Sequence, residues 1–464
     1  MEAATTVAAH AALAQDFGGS LIAPDASEYD EARRIYNGMI DRRPALIARP
    51  AGVADVLAAV RYARSADLPI AIRCGGHSLA GHSVADGALV LDLSRMRGIR
   101  VDLEHRIARV QGGALWGDID RETQAFGLAT PGGRVTGTGV GGFTLGGGYG
   151  WLSPKYGLTC DNLLSVDLVT ADGRFLTASA DENAELFWGL RGGGGNFGVV
   201  TSFELRLWPV GPLVYGGLMA FPLERAADVI GVWRDLAGDE APDELATGAA
   251  LVTAPPEEFV PEPARGQPAV GVLVSWCGDL DAGERYVAPL RALAPVMDMV
   301  QPMPYRALQA MLDPMNPPGL RTYARGEHLH GLPDDAVHAF AQHSTAGLHP
   351  LTVGVLFQHG GAVSRVPEDA TAFSHRSARF MVHPIAIWMD PADDSRHIEW
   401  ARGLAEAMAP YSTGGTYLNF MTDDGAEDVA RSGYDDATYA RLAALKRQYD
   451  PDNVFRFNQN VAAA

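Results

Sequence analysis

Cysteine is nearly missing: only Cys74, Cys160 and Cys277 occur in 464 residues, widely spaced and odd in number. That excludes a disulfide framework and a zinc site built from cysteine pairs. Basic charge is also scarce, with 37 Lys and Arg against 56 Asp and Glu, a net charge of −19. Such a chain repels phosphate backbones and anionic headgroups, so neither nucleic acid nor a membrane is an expected partner. No apolar run approaches the roughly 20 residues of a membrane span. The opening MEAATTVAAHAALAQDFGG begins on an acid, unlike the basic start of a signal peptide. We see no internal repeat, no low-complexity linker and no metal-binding pattern, and expect a cytoplasmic monomer or homodimer.

What the sequence has in excess is glycine, 53 residues, and they cluster. The length exceeds the roughly 250 to 300 residues at which one core stops growing, so two domains are expected. VADVLAAVRYARSA has helical spacing and leads, after Leu68-Pro69, into the short strand PIAIR. ALVLDLS and IRVDLEHRIARV alternate as strands, ALWGDIDRETQAFG reads as a helix, and LLSVDLVTADGRFLTAS as a hairpin turning at Asp172-Gly173. PGGRVTGTGVGGFTLGGGYGWL is too glycine-rich for a regular element. Beyond Val210 strand-like runs (VYGGLMAFPL, PAVGVLVSWCG, LTVGVLFQHGGAV, FMVHPIAIWMD) mix with helix-like ones (VIGVWRDLAG, GERYVAPLRALAP, HIEWARGLAEAMAP), and the prolines at 255, 256, 261 and 263 mark a surface loop. The fold class is α+β, with boundaries at 1–210, 211–411 and a C-terminal return over 412–464. The middle domain carries an antiparallel sheet covered by helices.

Glycine loops expose backbone N–H groups and let phosphate oxygens approach the main chain. Three such loops in one domain point to a phosphate-bearing cofactor. GTGVGG matches the dinucleotide pattern G-x-G-x-x-G, but no strand precedes it and no helix is expected to open from its last glycine, which argues against a nicotinamide-type fold.

RCGGHSLAGHSV, GVGGFTLGGGYGWLSPKYGLTCDNL, LFWGLRGGGGNFGVVTSF and YDPDNVFRFNQN, in that order, resemble the FAD-linked oxidases of the berberine-bridge-enzyme-like group, within the vanillyl-alcohol-oxidase flavoprotein superfamily. The resemblance implies a two-part, PCMH-type FAD-binding domain, with a substrate domain roofing the flavin ring. It also implies that His77 bonds covalently to the 8α-carbon of FAD, with Arg73, Cys74, Gly75, Gly76, Ser78 and Leu79 in the surrounding pyrophosphate loop. Thr138, Gly139, Gly142 and Gly148 come from the second glycine stretch, Gly198 and Val200 from the third, and Asn458 and Asn460 from the tail. Val135 stands where many members have a second, cysteinyl tether, so a monocovalent flavin is expected, as in bacterial members. Cys160 is expected in packing, and His82 as a residue behind the site or in solvent.

The same resemblance places tyrosines near the substrate at Tyr149 and Tyr417, and His383 near a position that assists the base. A phenolate at pH 7 costs about 4 kcal/mol against a phenol pKa near 10, so a cation or a shared Tyr149–Tyr417 hydrogen bond must offset it. Thr138, valine-like in shape, falls at the position that admits dioxygen to the flavin. The implied activity is oxidation of a small alcohol, sugar or secondary metabolite, with hydride passing to flavin N5 and dioxygen reduced to hydrogen peroxide. The alternatives are C–N oxidation of an amine, or binding and cyclisation of a metabolite without net redox turnover. Arg325, His328 and His330 in YARGEHLH are candidate pocket residues, although charged clusters on loops are more often solvated.

Overall fold

The computed structural model describes residues 13–462 apart from 16, 255–257, 259, 344, 346–347 and 424–428. Pro255, Pro256 and the first twelve residues, on which two of the readings above rest, lie outside the described residues. The chain is α+β and builds three principal sheets. In the first, the order is Ser20–Ile22, Leu46–Arg49, Leu89–Asp92, Ile70–Arg73. Its last three strands are parallel, and the helix Val53–Ser65 crosses between them as its apolar spacing predicts. The second sheet is antiparallel and combines Ile99–Asp102, Ile107–Gln111, Val199–Arg206, Leu163–Val169 and Phe175–Ser179. Gly173 supplies the positive φ of 75° at the predicted turn.

A ten-stranded sheet dominates the middle of the chain. Leu213–Pro222, Pro268–Trp276, Leu245–Thr253, Val353–Gln358 and Phe380–Trp388 lie side by side within it, all antiparallel. The two-residue period of a strand gives the sheet two distinct faces. Leu356 and Val382 pack under the helices Ala226–Leu236, Asp334–Ala341 and Asp394–Met408. Val355, Phe357, His383 and Ile385 point the other way, into a cavity. Ser412–Thr416 is still a strand of this sheet, so the chain leaves the sheet only after Thr416.

Three local expectations do not hold, and one strand had no expectation at all. Val140–Leu145, inside the glycine-rich stretch expected to be irregular, is a short helix, because burial of Val140, Thr144 and Leu145 outweighs the backbone entropy of its glycines. Leu245–Thr253, to which the sequence assigns no element because three alanines and a glycine break any β-branched alternation, is a central strand held on both edges by partners. GERYVAPLRALAP breaks into Leu280–Tyr286 and Ala288–Arg291, where Pro289 starts the second helix. Finally, YARGEHLH forms the strands Arg321–Ala324 and Glu327–Leu329 rather than a solvated loop.

Candidate active site

A cavity of about 900 Å³ lies between the glycine loops and the free face of the large sheet. Its loop side follows from local chain chemistry. Gly75 and Gly139 bring residues 74–76 and 137–141 into direct backbone contact. The Cys74 thiol accepts the Gly141 N–H at 3.4 Å, and burial pushes its pKa up to about 11, so it acts in packing and not as a nucleophile. Gly142 and Gly195 line the cavity, and a Cβ on either would meet nothing within 4 Å, so both leave open room beside the main chain.

The C-terminal segment is tied to this floor by a buried ion pair. Lys446 Nζ donates to Asp450 Oδ2 at 2.7 Å and to the carbonyls of Asn196 and Phe455, while Asp450 accepts the N–H groups of Val454 and Phe455. The YDPDNVF turn is thereby locked to the third glycine loop, which carries Asn458 and Gln459 to the cavity.

His77 stacks on Tyr36 with ring centroids 3.8 Å apart, and its Nε2 is buried without a hydrogen-bond partner. Desolvation lowers its pKa to about 4, so the imidazole is neutral and keeps a nucleophilic lone pair. Asn458 Oδ1 and Asn460 Oδ1 are also buried without partners. His77 and Asn458 line the cavity, and their orphaned polar atoms beside room left by absent side chains fit a flavin dinucleotide.

Of the residues expected to hold the cofactor, Cys74, Gly75, Gly76, His77, Ser78, Leu79, Thr138, Gly139, Gly142, Gly198, Val200 and Asn458 line the cavity. Arg73, Gly148 and Asn460 do not: the Arg73 guanidinium turns away to the Ala32 carbonyl, and Gly148 sits against Thr159. Val135 lines the cavity, and so does His82, which is half-buried at the site itself rather than behind it or in solvent. Cys160 is fully buried beside the Arg376–Asp161 ion pair.

On the substrate side, Tyr149 and His383 line the cavity and Tyr417 does not. The two tyrosine hydroxyls do not bond to one another. Tyr149 donates to the Gln358 carbonyl. Tyr417 Oη accepts the backbone N–H groups of Gly148 and Tyr149 and the Asn419 amide, at 3.1 to 3.2 Å. Those donors favour the phenolate, but burial outweighs them and raises Tyr417 to about 12. Burial likewise raises Tyr149.

His383 stacks on Phe420 at 3.9 Å, and its Nδ1 lies 2.6 Å from the Arg325 carbonyl. A carbonyl accepts only, so Nδ1 carries the proton and Nε2 keeps its lone pair. Burial and the neighbouring Arg134 charge hold the ring neutral, with a pKa near 4. Arg325 contributes this carbonyl and ion-pairs with Glu327, but neither it, His328 nor His330 lines the cavity. His328 faces His359 and His375 in the interior.

Sequence reasoning passed over Arg134. It is 7% exposed and lines the cavity against Tyr149, Trp151 and Phe357. It is the cation that the two tyrosines were expected to need, and it sits one residue before Val135, in a stretch read only for register.

A glycine-cradled cavity with a neutral, orphaned histidine on one wall and a sheet face on the other defines a flavoprotein oxidoreductase. Residues 44–179 match the FAD binding domain family, and residues 416–462 the berberine and berberine-like family. Over 456 residues, 96% of each chain, the sequence is 34% identical to an (R)-6-hydroxynicotine oxidase of Paenarthrobacter nicotinovorans. The solved 6-hydroxy-D-nicotine oxidase of Arthrobacter nicotinovorans is 31% identical with a TM-score of 0.86, covering 97% of this chain and 99% of that one. A xylooligosaccharide oxidase from Myceliophthora thermophila, solved with xylobiose, is 26% identical with a TM-score of 0.85, covering 98% and 99%. The chain belongs to the berberine-bridge-enzyme-like FAD-linked oxidoreductases. Among its described residues, no helix is long and apolar enough to cross a membrane.

Proposed function

We propose that this FAD-linked oxidoreductase oxidises a small hydroxyl-bearing metabolite to the carbonyl, with dioxygen as final acceptor. The alcohol gives up its hydroxyl proton and a hydride from carbon, and dioxygen takes up the two electrons and two protons as hydrogen peroxide. The carrying observation is His383, a neutral imidazole on the cavity wall whose Nδ1 is clamped by the Arg325 carbonyl. That clamp leaves Nε2, which makes no hydrogen bond among the described residues, to take the substrate hydroxyl proton. The Phe420 ring holds the imidazole plane, and the Arg325 carbonyl stabilises the positive charge that the ring acquires.

Bound FAD supplies the two-electron acceptor for the hydride and passes those electrons to dioxygen. In this reading His77 carries the flavin covalently and Thr138 leaves room for dioxygen. Tyr149 stands in the cavity wall as a protonated phenol. Tyr417 positions the Gly148–Tyr149 backbone from behind.

A second reading, C–N oxidation of an amine, is favoured by the similarity to a 6-hydroxynicotine oxidase. That reading needs a neutral amine and no base, so it leaves the clamped His383 without a proton to take.

The test is anaerobic mixing of the purified enzyme with a panel of alcohols and a panel of amines, reading flavin bleaching and then peroxide on aeration. Alcohols should bleach the flavin. His383→Asn should slow that step by about 10²- to 10⁴-fold, and the wild-type rate should fall only as pH drops towards about 4. Bleaching by amines alone, unaffected by His383→Asn, would remove the alcohol reading.

A further inference from the structure

Arg134 is the sole Asp, Glu, Lys or Arg among the described residues lining the cavity. Its guanidinium carbon lies 4.1 Å from the Phe357 ring centroid, 4.6 Å from that of Tyr149 and 4.7 Å from that of Trp151. Its Nε and Nη2 are buried without a hydrogen-bond acceptor. The loop that carries it is pinned on both sides: Gln309 donates to the Gly133 carbonyl, and the Thr136 N–H donates to Asp313 at 2.9 Å. The charge is therefore held in place.

Aromatic faces attract a cation but bring no net negative charge, and an uncompensated buried charge is costly. The protein does not compensate it. Burial raises Tyr149 even though the Arg134 guanidinium beside its hydroxyl favours the phenolate, and that hydroxyl donates to the Gln358 carbonyl, so the phenol keeps its proton. Tyr417 is raised to about 12, and no carboxylate contributes to the field on Arg134. Burial keeps His77, His82 and His383 neutral, with pKa values near 4. In a chain of net charge −19, the cavity is locally cationic.

We infer that the substrate brings the missing counter-charge: it is a mono-anion, a carboxylate on a compact apolar or aromatic skeleton, and Arg134 pairs with that carboxylate. The inference rests on the flavin-oxidase reading of this cavity and narrows its substrate class. One guanidinium without a second cation matches a single negative charge better than a phosphate dianion. Phe357, Leu273, Met303 and Met311 supply an apolar lining for the skeleton.

The experiment is calorimetric titration of the FAD-loaded enzyme with benzoate and with benzamide, which share a shape and differ in charge. Benzoate should bind at least about tenfold tighter, and Arg134→Met should bring the two to within about twofold, with benzamide affinity nearly unchanged. Equal affinities in the wild type overturn the inference, and that comparison stands even where the variant does not fold. A preference that survives in Arg134→Met also overturns it. So does a variant that changes the flavin midpoint potential but leaves the benzoate preference intact, since Arg134 then serves the reduced cofactor. A purified protein without flavin would instead defeat the oxidase reading, and absorbance of the same sample reports that separately.

Discussion

Gly75 and Gly139 meet back to back: a Cβ on Gly75 would stand 2.5 Å from the Gly139 nitrogen, and one on Gly139 would stand 2.3 Å from the Gly75 nitrogen. The first two glycine loops thus form one floor, and neither can take a side chain without parting from the other. Gly139→Ala should destabilise the protein by about 1 to 3 kcal/mol through overpacking. It should also lower the flavin-to-protein absorbance ratio of the purified enzyme. A normal ratio with an unchanged melting temperature would show that the floor yields freely.

His77 is predicted to tether the cofactor. When the enzyme is precipitated with acid, yellow colour should stay in the pellet, and the peptide holding His77 should gain the mass of one FAD. In His77→Ala the colour should leave with the supernatant. Colour that leaves the wild-type pellet would mean that this chain holds FAD without the covalent bond.

Tyr417→Phe removes the acceptor shared by two backbone N–H groups and the Asn419 amide. Each buried donor left unpaired costs roughly 1 to 3 kcal/mol, so the two backbone N–H groups imply a stability loss of about 2 to 6 kcal/mol in a denaturant titration. Because Tyr417 does not line the cavity, flavin reduction in the folded variant should retain more activity than in His383→Asn. An undiminished melting temperature with abolished reduction would move the base to Tyr417.

Asp120 provides a pH test remote from the flavin. It is buried in the helix Trp116–Gln124, accepts a hydrogen bond from Gln309 at 3.0 Å, and burial raises its pKa to about 7. The folded protein therefore keeps a proton that the unfolded chain releases near 3.8. Between those values the folded state binds more protons, so this group's contribution to stability falls as pH rises from about 4 to about 7. Asp120→Asn should keep the Gln309 contact and gain on the order of 2 to 4 kcal/mol over wild type at pH 8 relative to pH 4. Urea titrations at the two pH values would read the difference. Parallel pH profiles would show that Asp120 is ionised when folded.

The first half of the fold was legible because its signals are local. Helical spacing in VADVLAAVRYARSA, the Asp172-Gly173 turn and the glycine clusters each act within a few residues of chain, and the structure follows them at Val53–Ser65 and in the hairpin Leu163–Ser179. Leu245–Thr253 was not legible: three alanines and a glycine leave it no β-branched pattern of its own, and it becomes a strand through its two partners. His328 was misjudged for the reverse reason. Its charged neighbours suggested solvent, but pairing of Glu327–Leu329 with two strands buries the ring at 1% exposure.

By itself, the sequence pointed to a phosphate-bearing cofactor through its glycine spacing, since that spacing dictates where backbone can approach a phosphate, and its resemblance to the FAD-linked oxidases singled out the loops and the His77 that line the cavity. Tertiary structure alone decided the substrate side. Tyr149 finds its acceptor 209 positions away at Gln358, His383 its carbonyl 58 positions away at Arg325, and Arg134 its aromatic cage on Tyr149, Trp151 and the distant Phe357. No local pattern encodes such contacts, because charge, tautomer and pKa are set by which distant groups the fold brings within a few ångströms.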